Sequence, residues 1–239
     1  MELIKAELLK IKRMSIWGLA VALPIIAIIL GVKTYAYIKI KFPEITPWEG
    51  LSETSSTVFV GMLLQMFMIY VTMVMGKVES LNNGWKQLLA MPVKRSKVYI
   101  SKYIVVLLVL AASLISYLIE YSIAAYFLGS KGMIPAEVFL NILYVFVTIQ
   151  PITIMLFLLA NKFSSVVIPI GTGISMILSG FFIGQSNYWK YAPWTYPMDI
   201  IHGGLNIKTE ILPLLILSLL IFALIFYLDI INFKRKDIV

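Results

Sequence analysis

Cysteine is absent from the chain, which removes disulfides and thiolate metal sites at once. Histidine occurs once, at His202, so no H-E-x-x-H zinc site exists, and a Ser-His-Asp arrangement would hang on that single ring with no G-x-S-x-G elbow to accompany it. No G-x-x-x-x-G-K-[ST] phosphate loop is present, so any use of ATP belongs to another chain. Charge is scarce as well. Only 13% of the 239 residues are charged against 60% hydrophobic, too little polar surface for a water-soluble domain of this size.

What fills the chain instead is six uncharged apolar runs: Met14 to Val32, Thr54 to Gly76, Tyr103 to Ile119, Val138 to Asn161, Phe163 to Trp189 and Ile211 to Leu228. At about 1.5 Å of rise per residue each is long enough, as a helix, to cross a hydrocarbon core of roughly 30 Å. Strands of a membrane barrel would alternate apolar and polar residues instead. The expected fold is an all-α membrane protein of six transmembrane helices, one domain over residues 1–239. The first run is followed by Lys33 and bulky tyrosines, with no small-residue cleavage site, and reads as a retained span.

The net charge of +8 could point to nucleic acid, but its distribution points to topology. Lys5, Lys10, Lys12 and Arg13 precede the first span. Lys77, Lys86, Lys94, Arg95, Lys97 and Lys102 crowd the second loop, Lys162 the fourth, and Lys234, Arg235 and Lys236 the C-terminal tail. The opposite loops carry fewer basic residues, offset by Glu44, Glu49, Glu53, Glu137, Asp199 and Glu210. This pattern is expected to place both termini of a multi-pass membrane protein in the cytoplasm.

Residues 1–13 place Met1, Ile4, Leu8 and Ile11 on one helical face and the basic residues off it, which suits an interfacial helix or a simple topology signal. Glu7 sits at the edge of that stripe and calls for a basic partner. In the cytoplasmic loop 77–97, Leu81, Trp85, Leu88 and Leu89 share a helical face until Pro92. Such a helix can lie on lipid or dock into a groove on a soluble partner. The external loop 185–210 concentrates Tyr188, Trp189, Trp194 and Tyr196 between prolines, as an aromatic belt or as a stiff cap over a pathway. Pro24, Pro151 and Pro169 should bend their helices. Glu120, the acidic residue deep in a span, is either part of a pathway or a headgroup contact.

The segment Glu79, Asn82-Asn83-Gly84-Trp85-Lys86-Gln87-Leu88-Leu89-Ala90-Met91-Pro92-Val93-Lys94-Arg95, with Tyr99 and Lys102 after it, resembles a motif of ABC-2-type permeases. The start with Glu7, Lys10 and Lys12, the Trp194-Thr195-Tyr196-Pro197 segment and the ending Phe233-Lys234-Arg235-Lys236-Asp237-Ile238 agree with it. Gly84 departs from the pattern. The subgroup it is most similar to is the lantibiotic-immunity and bacitracin-type peptide exporter permeases. The resemblance implies a permease subunit that is not itself an enzyme, with ATP and magnesium bound by a cytosolic ATPase dimer. It also implies a second permease subunit, identical or homologous, and a coupling helix carrying Glu79, Asn83, Trp85, Lys86, Leu88, Leu89 and Pro92. Export of amphipathic or antimicrobial peptides is the expected activity. Another cargo, such as sodium or a lipid-like drug, and a non-transporting membrane anchor are the alternatives. Candidate pathway residues are Glu120, Pro151, Tyr188, Trp189, Trp194 and Tyr196; no metal site is expected.

Overall fold

The computed structural model describes residues 2–11, 15–77, 94–163, 165–202 and 207–235, and no strand occurs among them. The helices are α1 (Glu2–Ile11), α2 (Ile16–Lys41), α3 (Pro47–Val58), α4 (Leu64–Lys77), α5 (Arg95–Phe127), α6 (Ala136–Thr148), α7 (Gln150–Lys162), α8 (Val167–Ile183), α9 (Tyr196–Ile201) and α10 (Leu212–Arg235). A π-helical turn at Phe59–Leu63 joins α3 to α4, so that they form one rod. Five helical stretches are long and apolar enough to cross a membrane: Ile16–Lys41, Pro47–Lys77, Arg95–Phe127, Ala136–Lys162 and Thr209–Phe233. The fifth apolar run of the sequence folds as a shorter helix, α8, of 17 residues. The chain is a multi-spanning helical membrane protein.

Local chemistry explains the helix boundaries. The second span begins well before its apolar run because Thr46 and Glu49 make a capping box, each backbone N–H donating to the other's side chain at 3.3 Å, with Pro47 in the first turn. The fourth is interrupted at Ile149, two residues before Pro151, which lacks a backbone donor and sits in the first turn of α7. Glycines let the rods approach. A Cβ at Gly31 would lie 2.6 Å from the Ser55 Cβ, and one at Gly76 would lie 2.8 Å from that of Ala160, so α2 meets α3 and α4 meets α7 almost backbone to backbone.

Polar contacts lock the two ends of the bundle. Helix α1 packs on α5, and Glu7 accepts from Lys102 at 2.9 Å and from Lys10 at 2.8 Å, the basic partnership its position demanded. One turn away on α5, the Tyr99 hydroxyl donates to Asp229 of α10, and its ring meets Phe233 at 5.2 Å between centroids. Both terminal helices therefore end at the same side of the bundle. At the opposite end, Trp48 is gripped by the Tyr121 hydroxyl, which donates to its carbonyl at 2.7 Å, and by the rings of Tyr121 and Tyr126. Between the ends, the Tyr117 hydroxyl meets Ser55 at 2.8 Å and Ser56 at 3.0 Å, while its ring stacks on Phe59 at 4.6 Å.

Candidate functional site

At the end away from the termini, a cavity of about 520 Å³ opens between the second span, α8 and the segment that runs into α9. Thr57, Gly61 and Gln65 recur every four residues along one face of the second span and form the first wall. Ile177, Gly180 and Phe181 on one face of α8, with Gly184 and Gln185 just past its C-terminus, supply the second. Trp194, Thr195, Met198, Asp199 and His202 close the third side.

The π-helical turn shapes the first wall. It holds Gly61, where a Cβ would fall 2.9 Å from the Met198 sulfur, so glycine lets the α9 segment lie close. Deeper in the rod, Gln65 is buried and its amide reaches back to the Val60 carbonyl, five residues earlier, at 3.4 Å. Across the cavity, a Cβ at Gly180 would touch Trp194 at 3.6 Å, which leaves room for the indole.

The third side carries the ionisable groups. Asp199 and His202 are the titratable side chains of the lining, and the Asp199 Oδ2 and Trp194 Nε1 atoms are buried without a hydrogen-bond partner. Burial pushes the Asp199 carboxyl up to about 6, while Thr195 and the neighbouring His202 pull in the opposite direction. His202 is exposed at the rim, with Nδ1 at 3.0 Å from the Met198 carbonyl. The site is an apolar-walled chamber with one carboxylate, one free indole donor and two side-chain amides, a lining suited to an amphipathic ligand.

Of the pathway residues expected from the sequence, Trp194 lines this cavity. Tyr196 is buried beside it, donating to the Lys190 carbonyl at 2.6 Å and meeting Trp189 edge to face, so it braces the segment. Burial, and then the charge of Asp199, raise its phenol above the usual range. Tyr188 is exposed and Trp189 half-buried, next to a 3-10 turn at Trp189–Tyr191. Glu120 and Pro151 are not in the lining. Glu120 accepts from Ser116 at 2.6 Å on its own helix, and its Oε2 is buried without a partner. The coupling residues Glu79, Asn83, Trp85, Lys86, Leu88, Leu89 and Pro92 lie outside the described residues. Gln65, Asp199 and His202 are not among the site residues expected from the sequence, though the four-residue spacing of Thr57, Gly61 and Gln65 was a signal of a small and polar face.

The family described as ABC-2 family transporter protein matches residues 3–181 of the chain. No curated protein and no solved structure matches it.

Proposed function

Because the chain belongs to the ABC-2 family of transporter proteins, we propose that it is the permease subunit of an ATP-driven exporter of amphipathic or antimicrobial peptides, serving resistance or self-immunity. The family match over residues 3–181, on a protein with five helices fit to span a membrane, carries the permease reading. Helix α8, at roughly 25 Å by its rise, serves as a sixth span where the bilayer is locally thinned around it. Both termini face the cytoplasm, on the basic side of the bundle, and the cavity opens outward.

The division of labour follows from what this chain does not encode. A cytosolic ATPase dimer binds ATP and magnesium, and the segment from Glu79 to Pro92 couples it to the spans, with Trp85, Leu88 and Leu89 as the apolar docking face. A second permease subunit, identical or homologous, completes the pathway. The cargo reading is supported by the cavity: apolar walls with a single carboxylate suit an amphipathic cation better than a small hydrated ion, which calls for several converging oxygen ligands.

The test is co-purification of the chain with candidate ATPases, followed by ATP hydrolysis in the presence of cationic amphipathic peptides. Stimulation by peptide is expected. Stimulation by sodium or by a lipid-like drug instead would shift the cargo, and failure to bind any ATPase would leave a membrane anchor.

A further inference from the structure

The cavity holds two unmet hydrogen-bonding needs of opposite sense. Asp199 carries an acceptor oxygen without a donor, and Trp194 carries an N–H without an acceptor. Both residues line the same chamber, whose other surfaces combine the apolar Ile177, Phe181 and Met198 and three glycines with polar side chains, the amides of Gln65 and Gln185 and the His202 ring among them. Buried polar atoms of native proteins are nearly always paired, so two unpaired ones on residues that line a roomy chamber mark a place where a ligand can supply the partners once those side chains turn toward it. A ligand that satisfies both must bring a donor, best charged, and an acceptor, with an apolar body for the Ile177 and Phe181 side of the chamber.

We propose that this cavity binds the free amino-terminal residue of a peptide, its ammonium on Asp199 and its first amide carbonyl on the Trp194 indole. The proposal deepens the peptide-export reading and rests on it for the identity of the ligand. The carboxylate turns about χ2 to present its unpartnered oxygen, and the ammonium lies near the indole ring, whose face also attracts a cation. The following apolar side chains rest on Ile177 and Phe181. The volume of about 520 Å³ accommodates two or three residues of a peptide end and not a folded cargo. Amines of other kinds lack the paired carbonyl. A phosphatidylethanolamine headgroup offers a phosphate next to its ammonium, which would be set against the same carboxylate.

The experiment uses the full chain in phosphatidylcholine nanodiscs and titrates lysyl-leucyl-leucinamide, its α-N-acetylated form and butylamine by calorimetry. The free peptide should bind at least about tenfold more tightly than the acetylated one, and Asp199→Asn should erase that preference by weakening the free peptide. Trp194→Phe should weaken the free peptide several-fold and butylamine distinctly less, since butylamine has no carbonyl to lose and feels only the weaker pull of the smaller ring. Gly180→Val retains both polar groups and fills the chamber, so it should reduce binding of the free peptide. The proposal is overturned if Asp199→Asn, with an unchanged melting temperature, binds the free peptide as the parent does. It is overturned equally if acetylation has no effect on the parent, or if phosphatidylethanolamine added to the nanodisc competes the peptide away. Peptide-stimulated ATP hydrolysis by the parental complex is read separately: its absence rejects the export reading, whereas the Asp199 dependence of binding decides the site.

Discussion

Lys102, 1% exposed on α5, reaches Glu7 of α1 at 2.9 Å, and this contact fastens the N-terminal helix to the third span. The two residues stand 95 positions apart in the chain. Lys10 completes the cluster on the more exposed side of the carboxylate. Taking Lys102 away leaves the buried Glu7 with Lys10 alone, and taking Glu7 away removes the carboxylate that Lys102 is buried against, whereas replacing both removes the demand.

Glu7→Gln and Lys102→Met should accordingly each destabilise the protein by about 3 kcal/mol, and the double variant by less than their sum. Thermal unfolding in detergent, arranged as a double-mutant cycle, measures the coupling. Additive effects would mean that the pair stabilises nothing beyond its separate packing.

How the sequence anticipated this pair, and where it fell short, has a physical logic. A carboxylate at the edge of an apolar stripe must find a cation, so Glu7 announced a partner; which lysine it would be depended on packing between distant elements and was not legible. The spans were legible because an uncharged run is a one-dimensional signal, but their ends were set by other groups. The second span starts at the Thr46 and Glu49 capping box ahead of its apolar run, and α2, the first span, continues through Lys33 and Lys39 because lysine is a good helix former beyond the hydrocarbon. The run from Phe163 to Trp189 is longer than helix α8, whose C-terminus falls where Gly184, Gln185 and Ser186 turn the chain. The cavity joins Thr57 and Gln65 to Asp199, well over a hundred residues later, and no local pattern ties them together.

A small residue sets the distance between α2 and α3. A Cβ at Gly31 would stand 2.6 Å from the Ser55 Cβ and 3.0 Å from its backbone, which cannot rotate away. Gly31→Val should push the helices apart, disturb the Ser55 and Tyr117 hydrogen bond and cost about 1 to 3 kcal/mol. Gly18→Val, where nothing lies within 4 Å, serves as the matched control and should leave the melting temperature nearly unchanged.

The proposed coupling to an ATPase rests on Trp85, Leu88 and Leu89, which recur at helical spacing in the sequence. Interface aromatics of this kind commonly carry about 2 kcal/mol or more, so Trp85→Ala should weaken ATPase binding roughly 30-fold. A pull-down titration with the folded permease reads this out. Affinity equal to the parent's would assign the segment to the lipid surface.

Glu120 lies on the third span, which contributes no residue to the cavity, with Ser116 as its donor and one oxygen unmatched. Glu120→Gln keeps the size and the Ser116 contact while removing the charge. Resistance of cells to a cationic peptide should fall, and binding of a free peptide end to the purified chain should stay at the parental value. Parental resistance would reduce Glu120 to a headgroup contact.

The carboxyl of Asp199 is pushed up to about 6 by burial, which makes the cavity responsive to pH near neutrality. The elements packed against α9 contribute Glu49 and Glu53 on α3 and Glu137 on α6, all exposed, and none from the π turn; His202, at the rim, is the other titratable group of the lining. For the empty protein the sign is that of a raised acid: the folded state holds its proton longer than the unfolded chain, so stability is greatest at low pH and declines as pH rises through about 6. Binding of an ammonium runs the other way, because only the carboxylate attracts it. From about pH 5 to pH 7 the charged fraction of a group with this pKa increases about tenfold, and affinity for a free peptide end should rise with it before levelling off. Asp199→Asn should flatten that profile, and His202→Gln should leave the rise in place. A peptide affinity indifferent to pH over this window in the parental protein would show that the carboxylate is not what holds the amine.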